Sequence, residues 1–189
     1  MDTSNFPRSI YEFYWTNSSM FEERVDKQKR LISYVLTAIC VLLIIVPSII
    51  PIGNWLVRIV AVIGLIGFGY SAFFGSKDYY SLASGGKIKK LATKKFAYPE
   101  DNATLDCAAC QKVINMFRND DFAGLAAEPA SNDRPLQLDI HEDATGKTFY
   151  LLLTWYFSTS DKRGITDVKV IQEPQYSQFC SNIKNIKST

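Results

Sequence analysis

LISYVLTAICVLLIIVPSII, residues 31–50, runs for twenty residues without a formal charge. As a helix, twenty residues rise about 30 Å, the thickness of a bilayer's hydrocarbon core, so the run reads as a transmembrane span. A second apolar run, WLVRIVAVIGLIGFGYSAFF, with Arg58 as its one charge, occupies residues 55–74 and reads as a second span. Pro47, Pro51, Ile52, Gly53 and Asn54 supply the turn that sends the chain back between them. Trp55 stands at the entry of the second run and Tyr70, Phe73 and Phe74 near its exit, with Tyr79 and Tyr80 beyond, the placement of interfacial aromatic belts.

Outward from this hairpin the chain divides into four parts. Residues 1–30 form an N-terminal amphipathic segment, 31–75 the hairpin, 76–99 a basic juxtamembrane linker and 100–189 a small globular domain. A total of 189 residues leaves no room for a second soluble domain. The overall figures, 47% hydrophobic with net charge +2, conceal the contrast between the apolar runs and their polar flanks.

Arg24, Lys27, Lys29 and Arg30 precede the first span, Lys77, Lys87, Lys89 and Lys90 follow the second, and the turn between has no lysine or arginine. The positive-inside rule then puts both termini in the cytoplasm. Three cysteines outside the spans, Cys107, Cys110 and Cys180, an odd number, fit a reducing compartment better than a disulfide framework. In that compartment the sequons at Asn17 and Asn102 stay unmodified. The opening MDTSNFPRSIYEFYW lacks the basic and apolar regions of a cleavable signal peptide.

Arg58 lies one turn inside the second span, where its side chain snorkels to the interface or serves a contact between subunits. Ala61, Gly64, Gly67 and Ser71 make a stripe of small residues that lets helices approach closely, within the hairpin or between subunits. A lone hairpin has no evident means of conduction, which favours a homo-oligomer in the bilayer.

The C-terminal part reads as α+β, a three-stranded antiparallel meander flanked by helices. After Ser84-Gly85-Gly86, residues 87–98 form a strand or extended lead-in. A helix capped by Asp101 or Asn102 carries Leu105, Ala109, Val113 and Met116 to about Arg118, with Cys110, Ile114 and Phe117 on the adjoining face. A polar loop follows through Arg134 and Pro135. Leu136, Leu138 and Ile140 alternate as one strand, Thr148–Phe157 is a second, apolar on both faces and therefore central or at an interface, and Ile165–Ile171 is a third. Pro174 opens a last helix whose Tyr176, Phe179, Ile183 and Ile186 share a face.

No nucleophile motif or phosphate loop accompanies the single histidine, His141, which reads as a surface residue beside a turn, so the chain is not expected to be an enzyme. Asp139, Glu142 and Asp143 could bind a divalent cation with it, although a loosely clustered acidic turn reads more plainly as solvated. Cys107 and Cys110 form one Cys-x-x-Cys on a helix, half of what a structural zinc site requires, and buried, inert thiols are the plain reading. No cofactor or metal is expected.

Charge is segregated. Residues 87–95 hold five lysines and no acid, residues 100–143 carry a net −7, and residues 144–189 a net +3. The lysine run suits anionic lipid headgroups. Lys162 and Arg163, with Lys147 in the preceding turn and the aromatic Trp155 and Tyr156 nearby, suit phosphates and stacked bases.

In its layout, a two-span hairpin with both termini inside and a small cytosolic α+β domain, the chain resembles the two-helix membrane effectors of bacterial antiviral systems, in particular the type III CRISPR effectors controlled by cyclic oligoadenylate. The resemblance is architectural and transfers no individual residue. It implies a protein of the bacterial inner membrane, a homo-oligomer, whose cytosolic domain binds a cyclic oligonucleotide and thereby perturbs the bilayer. The alternative is a membrane-anchored docking module, an immunity or assembly factor.

Overall fold

The computed structural model describes residues 5–51, 53–74, 77–97, 104–131 and 135–187, with side chains as far as Ile183. In chain order the elements are α1 (Ile10–Thr16), β1 (Phe21–Val25), α2 (Lys27–Ile45), α3 (Asn54–Phe74), β2 (Lys77–Ser81), β3 (Ile88–Lys95), α4 (Ala108–Arg118), α5 (Phe122–Ala127), β4 (Leu136–Asp143), β5 (Thr148–Tyr156), β6 (Lys162–Gly164), β7 (Lys169–Ile171) and α6 (Gln175–Lys187). They form two compact units, Glu23–Asp78 and Met1–Glu22 together with Tyr79–Thr189. The first is a helical hairpin, the second an antiparallel sheet flanked by helices, and β1 pairs with β2 where the chain passes between them.

In the hairpin unit, α2 begins four residues ahead of the uncharged run because Asp26 caps it, accepting from the N–H groups of Gln28 at 2.9 Å and Lys29 at 3.2 Å. It ends at Ile45, short of the Ile50 expected. Pro47 has no N–H to donate and holds Val46 out of the helical region, at φ −124°, so Pro47–Ile49 makes only a single 3-10 turn. Both α2 and α3 are long and apolar enough to cross a membrane. Only 11% and 17% of their apolar windows are buried, whereas the core helix of a water-soluble protein is mostly buried. These exposed faces call for an apolar surrounding.

α2 and α3 pack through small and polar groups. The hydroxyls of Ser33 and Ser71 lie 3.0 Å apart, and Arg30 Nε donates to the carbonyl of Ala72 and to the Tyr34 hydroxyl, each at 3.2 Å. Ala61 is buried, and a Cβ on Gly64 would stand 2.8 Å from the sulfur of Cys40, so glycine is what allows that approach.

The sheet of the second unit runs β3-β4-β5-β6, with β7 also paired to β5. It is therefore larger than the three-stranded meander expected. β3 adds an edge beyond β4, from Ile88 opposite Asp143 to Lys95 opposite Gln137. Five lysines made this stretch look like a linker, but lysine on an edge strand discourages pairing with other chains. Of the strand expected at 165–171 only Lys169–Ile171 forms, as β7, and β6 lies ahead of that range, at Lys162–Gly164.

β5 is central, and its alternation separates two layers. Phe149, Leu151, Leu153 and Trp155 join Leu136, Leu138 and Ile140 of β4 in a core closed by α4, α5 and α6, through Val113, Ile114, Phe117, Leu125 and Phe179. Helix α5, capped by Asp121, lies in what reads as a loop. The caps expected at Asp101 and Asn102 lie outside the described residues, and α4 as described starts after Cys107. Ile186 likewise lies beyond the described side chains.

Tyr150 and Leu152 point to the opposite face, where Ile10 and Tyr14, one turn apart on α1, pack on them with Phe21 and Ile88. The N-terminal segment is thus a layer of the sheet unit. Gly164 makes room for it: its N–H donates to the Pro7 carbonyl at 3.2 Å, and a Cβ there would meet that oxygen at 2.2 Å.

Candidate functional site

The face of the sheet beneath α1 carries a row of polar side chains from β4, Gln137, Asp139, His141 and Asp143, all buried. Strand geometry sends residues i, i+2 and i+4 to one side, so Leu136, Leu138 and Ile140 take the dry core and their neighbours this face. His141 was expected at the surface; it is only 3% exposed. Its ring lies 5.0 Å from that of Tyr11 and 5.8 Å from that of Tyr14. Burial drives its pKa down to about 4, against the nearby Asp139 carboxylate, while the Lys90 and Lys162 charges add to the depression. The imidazole is neutral at physiological pH.

Asp139 is the electrostatic centre of this face. Burial pushes its carboxyl up, but the Lys162 ammonium at 2.6 Å, the Thr93 hydroxyl at 2.7 Å and Lys90 at 3.5 Å outweigh it and hold the pKa below the ordinary range. Two lysines therefore share one carboxylate, leaving one positive charge unbalanced there. Asp143, at the other end of the row, accepts from Ser84 at 2.5 Å and from the Gly146 N–H at 2.9 Å. Among the described residues no group of three or more His, Cys, Asp or Glu could hold a metal ion.

The residues proposed for phosphate and base contacts are only partly brought together. Tyr156 stands opposite Lys162 and Trp155 opposite Arg163 across the β5–β6 ladder. Lys162 lies 5.6 Å over the Tyr156 ring, which is partly exposed. Successive strand residues face opposite ways, so Arg163 points to the other side of the edge strand, 2.8 Å from Asp161 and 5.8 Å over the exposed Phe157 ring. Trp155 belongs to the dry core at 6% exposure, and its ring is no open stacking platform. Lys147 sits at the far end of β5, roughly 30 Å of strand from Tyr156, and pairs with Glu173 at 3.4 Å. Asp139 was read as solvated and Lys90 as part of a lipid-facing lysine run, and Thr93 was not singled out. The signal for them was alternation of Asp139 with apolar neighbours and a lysine-rich strand able to pair beside it.

A groove of about 750 Å³ opens on the same face, walled by Phe13, Met20, Phe21, Leu82, Tyr150 and Val170, with Ser81, Ser84 and Asp143 among its polar groups. Its described lining holds no lysine or arginine. A smaller cavity of about 290 Å³ includes Arg118 and Lys169, but the Lys169 ammonium is committed to the Phe117 and Arg118 carbonyls and to Asp120.

Of the small-residue stripe in α3, Ala61, Gly64 and Ser71 serve the contact with α2, whereas a Cβ on Gly67 would meet nothing within 4 Å. Arg58 is exposed. No family model, curated protein or solved structure matches this chain.

Proposed function

We propose that this chain is a two-span membrane receptor, in which a ligand taken up by the sheet unit acts on the membrane hairpin. The observation that carries the reading is the position of the groove along the chain. Ser19, Met20 and Phe21 line it on the way to α2, which starts at Lys27, and Ser81, Leu82, Ala83 and Ser84 line it after α3, which ends at Phe74. A ligand held there, or on the adjoining polar face, bears on the two segments through which the hairpin is tethered. It shifts the hairpin only by favouring one arrangement of those segments over another.

For the ligand, the resemblance names a cyclic oligoadenylate. Lys90 and Lys162, with the partly exposed Tyr156 beneath, support an anionic, base-bearing molecule, and a homo-oligomer would repeat that modest charge about its axis. The docking alternative rests on a different observation, the apolar walls of the groove and the absence of cations from its described lining.

The test is dye release from liposomes of bacterial inner-membrane lipid carrying the full-length chain. Release on adding a cyclic oligoadenylate, with none on adding linear AMP, supports the receptor reading. Vesicles that stay tight while no cyclic oligoadenylate binds overturn the messenger and leave the docking module in its place.

A further inference from the structure

We infer that Cys107 and Cys110 form a dithiol that undergoes reversible thiol–disulfide exchange, a site independent of the polar face and the groove. Their sulfurs stand 2.8 Å apart, inside ordinary van der Waals contact and within reach of the 2.05 Å bond by a small side-chain rotation. Both are thiols in this structure. The pair is asymmetric in the way exchange requires. Cys110 is fully buried against Val113, Ile114 and Phe117, while Cys107 is half-buried at the mouth of α4 and open to a co-reactant.

Cys107 caps α4, and the Cys110 N–H donates to its sulfur at 3.3 Å. That donor faces the charge Cys107 carries as the attacking thiolate. The co-reactant is a disulfide, either a small molecule or an exposed bridge on a polypeptide. The Cys107 thiolate attacks one of its sulfurs, forming a mixed disulfide and expelling the first thiol. The Cys110 sulfur then attacks Cys107, the mixed bond breaks and the second thiol departs. Two electrons pass from the dithiol to the co-reactant, and the two protons end on the released thiols. Excess thiol runs the sequence backwards.

A zinc site would use the same sulfurs but needs two more ligands, and the described residues gather no third His, Cys, Asp or Glu around them. Plain burial accounts for Cys110 alone; it does not account for a half-exposed partner at contact distance.

The experiment takes the full-length chain in detergent through glutathione mixtures from fully reduced to fully oxidised. Samples are quenched in acid, alkylated with N-ethylmaleimide, digested and weighed. The expected peptide holding both cysteines carries two labels when reduced and, when oxidised, none, with a loss of two hydrogens. In Cys110→Ser the exchange should stop halfway, with glutathione trapped on Cys107. Two labels persisting under fully oxidised glutathione would overturn the proposal, as would stoichiometric zinc that protects both thiols. The wild-type measurement stands by itself should Cys110→Ser fail to fold.

Discussion

The two faces of the sheet are built from the same strands and are equally buried, yet they do different work. On one, Leu138 and Ile140 meet α4, α5 and α6 in a layer dominated by apolar side chains. On the other, Asp139, His141 and Asp143 lie under an aromatic helix that comes from the opposite side of the hairpin in sequence. An apolar layer needs volume and little else. A buried polar row needs a partner for every charge, and those partners concentrate titratable groups, cations and a groove on one face. Both faces hold the fold together, and the polar one is where we propose that a ligand binds.

The largest effects should come from cutting either layer. Phe149 lies between Tyr176, stacked at 4.6 Å, and Phe179 at 5.0 Å, so Phe149→Ala should cost about 3 to 5 kcal/mol in denaturant unfolding followed by near-ultraviolet circular dichroism. Leu152→Ala, on the other face, should cost about 2 to 5 kcal/mol, because α1 covers that residue completely. A loss near zero at Leu152 would mean that α1 is not seated there and would break the comparison.

His141 gives the next effect, one the dry face cannot show. Its pKa is about 4 when folded against 6.5 ordinarily, so the unfolded chain takes up the proton first. Stability from the neutral ring is full above about pH 6.5 and falls as pH drops towards 4, by about 3 kcal/mol in all. His141→Gln should flatten that window in a series of unfolding curves, leaving the losses below pH 4 that come from protonating Asp139.

Tyr14 gives a smaller effect with the opposite sign. Its hydroxyl is buried and has no hydrogen-bond partner among the described residues. Tyr14→Phe should therefore raise the melting temperature, by up to about 1 kcal/mol of stability. A clear loss would reveal a partner for that hydroxyl and a wetter face than the one described.

Much of this was legible in the sequence where a single period dominates. The uncharged run at 31–50 and the apolar run at 55–74, broken only by Arg58, announced α2 and α3, and the unbroken apolar stretch of Thr148–Phe157 announced a central strand. What was not legible depended on partners distant in sequence. The Ile10–Tyr14 pair reads as a free amphipathic turn until Tyr150 and Leu152 supply the surface it covers. His141 reads as a turn residue because nothing local shows that β4 continues to Asp143, opposite Ile88 of a lysine-masked strand. Trp155 and Tyr156 look alike in a run of aromatics, and only the pairing with Leu136 and Lys162 sends one inward and the other outward.

In α3 the same kind of contrast sets Gly64 against Gly67. Gly64→Leu should disrupt the hairpin, since even a Cβ there crowds Cys40, whereas Gly67→Leu should leave it intact. If Gly67→Leu nevertheless abolishes oligomers in native mass spectra, that face lies between subunits.

The central claim, that the polar face is the ligand-binding face, is tested most directly by titrating cyclic oligoadenylates into the full-length chain and into a Lys90→Gln, Lys162→Gln double variant. The account predicts saturable binding that the variant weakens by more than tenfold, about 1.4 kcal/mol, with the difference growing at low salt. Unchanged affinity in a folded double variant would contradict it.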